Sequence, residues 1–476
     1  MVKANVENIT DRLITGEKIE NPAYQNPEIA KAIANKWIYD DLEKLGVYDN
    51  FKKKIIHYYG KRDLAKQVLK LIPFYYDNGK NWWRWEFGLS CWVLTDEVDI
   101  INWINHLAEE VNTINSKERN EIIESLRQEA RLNKPKDIKP TWIQFKKEIF
   151  DIKTGEQFEA TPEYFVTNPI SYELNKDLIE DTPTMDKIFE EWVGKEYIKT
   201  LYEIIAYCLL PSYPIHRLFC LLGAGMNGKS CFINLLKKFI GVNNCTSTEL
   251  DILLNSRFEV TRLHKKLICI MGETNFNELS QTSILKKLTG GDLIGFEYKN
   301  KTPFEDNNYA KILIATNNLP ETTDKTLGFY RRWCIIDFPN QFSEQKDILD
   351  DIPEEEYESL ALKSCSLLHD LLKNRKFYNE GDVEERMKKY EEKSNPFDKF
   401  INDRCDLTDP NGDIWKFEFE KEFKAWCKNN RFREHSQKII AKEMQERSIG
   451  TAQKTTPFLI NGENKVLRIW VGIKWK

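Results

Sequence analysis

Gly223-Ala-Gly-Met-Asn-Gly-Lys-Ser230 is the stretch on which the fold of this chain turns. It fits the pattern G-x-x-x-x-G-K-[ST] at every position. Before it, Leu218-Phe-Cys-Leu-Leu222 is a short apolar run that predicts a buried strand. After it, Cys231 to Ile240 is apolar at helical spacing. In a strand, glycine loop and helix so arranged, backbone N–H groups turn inward around phosphate oxygens. The helix N-terminus faces the same anion. Gly223, Ala224, Gly225, Met226, Asn227, Gly228, Lys229 and Ser230 are therefore the expected cradle of a nucleoside triphosphate. Lys229 is expected to reach the β- and γ-phosphates, and the Ser230 hydroxyl to hold Mg²⁺. Kinases, GTPases and motor ATPases share such a loop, so the motifs downstream must choose among them.

In the second motif, Lys265 to Asn275, Leu267 to Met271 predicts a buried parallel strand, and Glu273 follows its carboxyl end. An acid there can polarise the attacking water and help hold the metal. Gly272 precedes it where many such ATPases carry a second acid, which leaves the choice of base less secure. In the third, Tyr309 to Pro320, a strand from Ile312 to Ala315 runs out to Asn317, placed to sense the γ-phosphate or orient the water. In the fourth, Arg331 and Arg332 precede a strand from Trp333 to Phe338. An arginine there suits the role of a finger donated to a neighbouring subunit's phosphate, and the sequence leaves open which of the two acts. Between the second and third motifs, Leu293 to Tyr298 alternates as a strand, Lys299 and Lys301 form a polar tip, and the chain returns through Phe304. Tyr298, Lys299 and Lys301 are the candidate grip on a nucleic-acid strand. A solvated loop is the competing reading.

At 476 residues the chain is too long for one ordinary core. No apolar run approaches the length of a bilayer span, and the N-terminus has no signal-peptide shape, so a cytoplasmic protein without membrane contact is expected. The ten cysteines are scattered in apolar runs, which predicts buried, reduced thiols rather than a zinc site. A net charge of −5 argues against coating nucleic acid through overall charge, while leaving room for a local basic channel.

The expected fold class is α/β: a P-loop ATPase core with a parallel central sheet, a mainly helical region before it and a winged-helix-like domain after it. The expected boundaries are 1–115 for an aromatic-rich helical region, 116–195 for a helical collar or linker and 196–345 for the ATPase core. A helical lid follows at 346–394 and the winged-helix-like domain at 395–476. Trp82, Trp83, Trp85 and Trp92 could stack bases, but the core of a small hairpin or helical module is the favoured reading. The tail closes on two strand-like runs flanking Asn461-Gly462, a hairpin-turn signal.

Taken in order, Gly223 to Ser230, Ile270-Met-Gly-Glu273, Leu288-Thr-Gly-Gly-Asp292, Ala315 to Pro320 and Tyr330-Arg-Arg-Trp333 resemble a superfamily 3 helicase. This is the viral and plasmid branch of the AAA+ ATPases, and the nearest likeness is to the poxvirus and phage-plasmid primase-helicase group. One Glu after a small residue is that group's pattern. The resemblance is specific from about 200 to 340, and weak before 80. It implies a homo-hexameric ring with ATP and Mg²⁺ between neighbours, and single-stranded DNA gripped in the pore by the hairpin. It also implies 3′–5′ movement at replication forks. With no priming site readable here, it points to a primase or polymerase on another chain or in a longer protein. An ATP-driven loader that binds DNA and partners without unwinding is the alternative.

Overall fold

The structure, a computed structural model, describes residues 61–102, 116–272, 278–279, 281–299, 301–343, 348–430, 432, 434–460 and 463–476. The first described helix, Lys61–Leu71, leads into strands β1 (Phe74–Tyr76), β2 (Trp82–Glu86) and β3 (Cys91–Thr95), an antiparallel meander in that order. A mainly helical region was expected. Among the described residues it is a helix on a sheet. The reason is that Trp82, Trp83, Trp85 and Trp92 are all buried, so β2 is apolar toward both faces and lacks the alternation of a half-exposed strand. Asp77 shapes the turn, accepting from the Asn81 amide at 2.8 Å and the Trp83 indole at 2.8 Å. The four tryptophans are core, as favoured.

Helix Ser116–Leu132 is followed by a second antiparallel meander: β4 (Trp142–Phe145), β5 (Glu148–Asp151) and β6 (Gln157–Glu159). β6 falls where Gln157 to Pro169 reads as a strand ending in a turn, whereas β4 and β5 depart from the helical collar or linker expected for 116–195. One hydrophobic core runs from Leu64 through Trp85 and Leu126 to Val166, so residues on both sides of position 115 pack as one unit.

Helices Pro183–Val193 and Ile198–Cys208 lead into the central sheet. Its strands are β7 (Leu218–Leu222), β8 (Cys245–Ser247), β9 (Ile268–Met271), β13 (Lys311–Thr316) and β15 (Trp333–Asp337). All are parallel, in the order β15-β7-β13-β9-β8. Alternate residues go to opposite faces. Phe219 and Leu221 join a core that includes helices Lys229–Ile240 and Glu354–Asn374, whereas Leu218, Cys220 and Leu222 join another with Leu285, Trp333 and Tyr390. Both faces being covered explains why these strands read as unbroken apolar runs. Between β9 and β13 lie β10 (Glu278–Leu279) and the hairpin of β11 (Leu293–Phe296) and β12 (Phe304–Asn307); β14 (Glu321–Thr322) pairs with β10. Eight of the ten cysteines are buried. Burial pushes the Cys269 thiol up to about 12.

After helix Val383–Ser394, the C-terminal segment runs as helix Pro396–Arg404, β16 (Cys405–Asp406), β17 (Asp413–Trp415), helices Lys416–Asn429 and Gln437–Glu446, then β18 (Gly450–Ile460), β19 (Glu463–Val471) and β20 (Lys474–Trp475). The sheet order is β17-β19-β18. Asn461 and Gly462 lie outside the described residues, and the flanking strands pair as a hairpin up to Ile460 opposite Glu463.

Trp85 is 1% exposed and meets Trp92 edge-on at 5.7 Å. Trp85→Ala is expected to cost about 3–5 kcal/mol, read as a lowered denaturant midpoint of the N-terminal unit. An unchanged midpoint would contradict its place in the core.

Candidate nucleotide site

The strand order brings together residues far apart in sequence. β13 lies between β7 and β9, with Thr316 opposite Leu222 and Ile314 opposite Met271; Asp337 of β15 flanks Leu222 on the other side. The glycine loop, Asn317 and the residues after β9 therefore leave the sheet at one carboxyl edge, where open α/β sheets bind ligands. Glu273 lies outside the described residues, two positions beyond the end of β9.

The loop turns through Gly225 (φ 107°), Met226 (φ 48°) and Gly228 (φ 89°). Left-handed residues rotate successive N–H groups to one side, making a concave nest for an anion. A Cβ at Gly228 would lie 2.5 Å from the Trp192 ring, and one at Gly223 would lie 2.6 Å from the Phe338 carbonyl oxygen. Both positions thus need glycine for space, and Gly228 needs it for conformation as well. The loop is braced from outside: the Phe342 amide donates to the Met226 carbonyl at 2.7 Å, and Asn227 Nδ2 to the Phe338 carbonyl at 3.1 Å. Helix Lys229–Ile240 begins at Gly228 with no side chain capping its first amides, so the N-terminal donors and helix dipole are directed at the nest.

Lys229 is buried, and its ammonium donates to the Gly223 carbonyl at 2.7 Å, Asn227 Oδ1 at 2.7 Å and Asn317 Oδ1 at 3.5 Å. These three oxygens are neutral, so they orient the charge without cancelling it. Ser230 is exposed on the helix's first turn. Such a cradle fits the phosphates of a nucleoside triphosphate. Among the described residues, no group of three or more His, Cys, Asp or Glu gathers as a metal site.

The two arginines separate. Arg332 is 7% exposed and donates through Nε to Thr289 Oγ1 at 2.9 Å, through one terminal nitrogen to the Lys286 carbonyl at 3.2 Å, and through the other to the Gly328 carbonyl. Burial, reinforced by neighbouring Arg331, lowers its pKa. Arg331 is exposed.

The hairpin residues separate too. Lys299 is exposed at the tip. Lys301 is half-buried and donates to Asn81 Oδ1 at 3.0 Å. Tyr298 is half-buried, its hydroxyl 2.9 Å from His264 Nδ1 and its ring stacked on Phe304. His264 is in turn 3.2 Å from Asp306, and its ring meets Trp83 at 6.2 Å. Burial lowers the His264 pKa, with the Asp306 hydrogen bond opposing it. The hairpin thus leans on the first meander, a contact no local sequence signal carries. Asn227 and Trp192 were likewise invisible as braces; the one available clue was an apolar helix ending just before the core.

Gly228→Ala combines left-handed strain of about 1–2 kcal/mol with the clash at Trp192. Affinity for a fluorescent ATP analogue is expected to fall about tenfold or more. Unchanged affinity would remove the glycine loop from the site.

Residues 52–195 match the family described as D5 N terminal like, and residues 221–332 match a family of unknown function, DUF5906. A protein of Acanthamoeba polyphaga mimivirus named "Putative helicase L207/L206" is 25% identical over 214 residues, which is 42% of this chain and 22% of that protein. The chain therefore matches about a fifth of that relative's length. The solved A form apo structure of the NrS-1 C terminal region covers 86% of this chain and 98% of its own, at 15% identity and a TM-score of 0.43. Among the described residues, no helix is long and apolar enough to cross a membrane. The D5-like match thus precedes the motif-bearing core, and the chain resembles in that order the poxvirus and phage-plasmid primase-helicase group.

Proposed function

We propose that this chain is an ATP-dependent replicative DNA helicase of a virus or plasmid, a ring motor that moves 3′–5′ on single-stranded DNA. The observation that carries the reading is the convergence of Lys229, Asn227 and Asn317 at the carboxyl edge of the parallel sheet, beside an uncapped helix N-terminus. A lysine held between loop and sensor strand is suited to stabilise charge on a transferred phosphoryl group. In this reading the loop amides and Lys229 bind the β- and γ-phosphates, and Asn317 orients the attacking water. Glu273 accepts that water's proton. Ser230, with Glu273, would hold Mg²⁺, which would supply charge neutralisation to the phosphates.

Exposed Arg331 is the better trans finger, because the donors of Arg332 are taken up by its own chain. The order helix, β17, two helices, β18, β19 supports a winged-helix reading of the C-terminal segment. One observation favours the loader alternative: Lys301 and Tyr298 are engaged inside the protomer, so gripping a strand requires the hairpin tip to leave Asn81.

The deciding experiment is ATP turnover with and without single-stranded DNA, single-stranded RNA and duplex, with strand separation followed in the same samples. Stimulation by single-stranded DNA with unwinding is expected; turnover indifferent to nucleic acid, without unwinding, would favour the loader. Lys299→Ala with Lys301→Ala is expected to spare basal turnover and flatten the salt dependence of strand binding. Intact binding would acquit the hairpin of the grip. In mixed rings Arg331→Ala is expected to silence neighbouring sites while the variant still binds ATP. Arg332→Ala is expected instead to lower stability by about 1–3 kcal/mol, seen in a thermal melt. The reverse pattern would reassign the finger.

A further inference from the structure

The loop after β13 carries two asparagines side by side. Asn317 faces Lys229; Asn318 faces the C-terminal segment. Lys399, on helix Pro396–Arg404, donates from Nζ to Asn318 Oδ1 at 2.6 Å. Asn318 Nδ2 reaches the Asn430 carbonyl at 3.5 Å, at the end of helix Lys416–Asn429. Farther along the same loop, Pro320 O accepts from the Tyr390 hydroxyl at 2.7 Å and Glu321 Oε1 lies 2.9 Å from His435 Nε2. Four hydrogen bonds thus tie residues 318, 320 and 321 to helix Val383–Ser394 and to the segment beyond it.

Lys399 is an expensive residue to place there. Its ammonium is half-buried, 4.9 Å from the centre of the Phe432 ring, and burial together with Lys393 pushes its pKa down to about 8. Among the described residues it is met by an amide oxygen and an aromatic face, and by no carboxylate within ion-pair distance. A desolvated cation of this kind is weak as a stabiliser but strong as an orienting group, because the amide it bonds can offer only its oxygen. Fixing the Asn318 side chain fixes the backbone between it and Asn317, and with it the direction in which Asn317 faces the ammonium of Lys229.

We infer that Lys399 is a positioning residue of the nucleotide site, which holds the Asn317 loop through Asn318 and so couples seating of the C-terminal module to ATP hydrolysis. The inference rests on the proposed ATPase reading. A module that shifts when it engages DNA or a partner would move Lys399, release Asn318 and change turnover without touching the phosphate cradle. The coupling is reciprocal for binding: a nucleotide that draws Asn317 to its γ-phosphate changes how firmly the module is held.

The test is steady-state ATP turnover of the full chain with Lys399→Met, which keeps the length and packing of the side chain, with Asn318→Ala, and with both. Lys399→Met is expected to lower kcat about ten- to a hundredfold, the scale of a small misplacement remote from the chemistry. KM should stay within about twofold, since the cradle is intact. The double variant should be no worse than the more impaired single one, because both remove the same contact. A melting temperature unchanged by Lys399→Met separates this from unfolding, and Asn318→Ala gives the same readout from the other side if that variant folds poorly. Unchanged kcat in Lys399→Met, additive losses in the double variant, or a loss confined to KM would each overturn the inference. A wild-type chain that hydrolyses no ATP, with Lys229→Ala indistinguishable from it, would overturn the ATPase reading as well; turnover that depends on Lys229 but not on Lys399 would overturn the coupling alone.

Discussion

The ammonium of Lys229 is the point on which the rest of the molecule depends. It sits where two parallel strands end, gathered by the Gly223 carbonyl, Asn227 and Asn317. For those oxygens to meet, β13 must lie beside β7, although a long stretch of chain separates them, and this is what the order β15-β7-β13-β9-β8 provides. Neutral acceptors orient a buried cation toward the loop without themselves cancelling its charge. The left-handed turns at Gly225 and Gly228 and the uncapped helix behind them add donors aimed at the same point.

Around that centre the chain builds successive braces. Trp192, the last large residue of the helix leading into the core, fills the space a side chain at Gly228 would need. Phe338 and Phe342, after β15, hold the loop from its other side. Asp337 at the end of β15 is paired with Lys389 and Lys393, each at 3.0 Å. Burial works against its ionisation, and the two lysines more than offset this and lower its pKa. The helix Pro183–Val193, the chain after β15 and helix Val383–Ser394 therefore all touch the elements that frame the loop.

The parts legible in the sequence are those with local causes. The loop, the apolar strands before it and after it, and the strand end at Asn317 each announce themselves within ten or so residues. The buried strands were readable because covering both faces of a parallel sheet leaves no polar alternation. The same physics left the first meander open between a small hairpin and a helical module: Trp82 to Glu86 buries toward both sides, so its strand period is masked. Long-range contacts left no local trace. The burial of Arg332, the lean of Tyr298 on His264, the Lys301–Asn81 bond and the Lys399–Asn318 bond all join positions dozens of residues apart. Position in a motif could nominate both arginines; only packing separates the exposed one from the one bound to its own carbonyls.

The most direct test of this account is calorimetric titration of the wild-type chain and of Lys229→Ala with a non-hydrolysable ATP analogue and Mg²⁺. The account predicts saturable binding to the wild type and a loss of affinity of about a hundredfold or more on removing the buried ammonium, the worth of a charge-assisted contact of about 3 kcal/mol. Equal affinity in the two proteins would contradict it, because the oxygens that converge on Lys229 would then be holding a structural lysine and not the phosphate end of a nucleotide site.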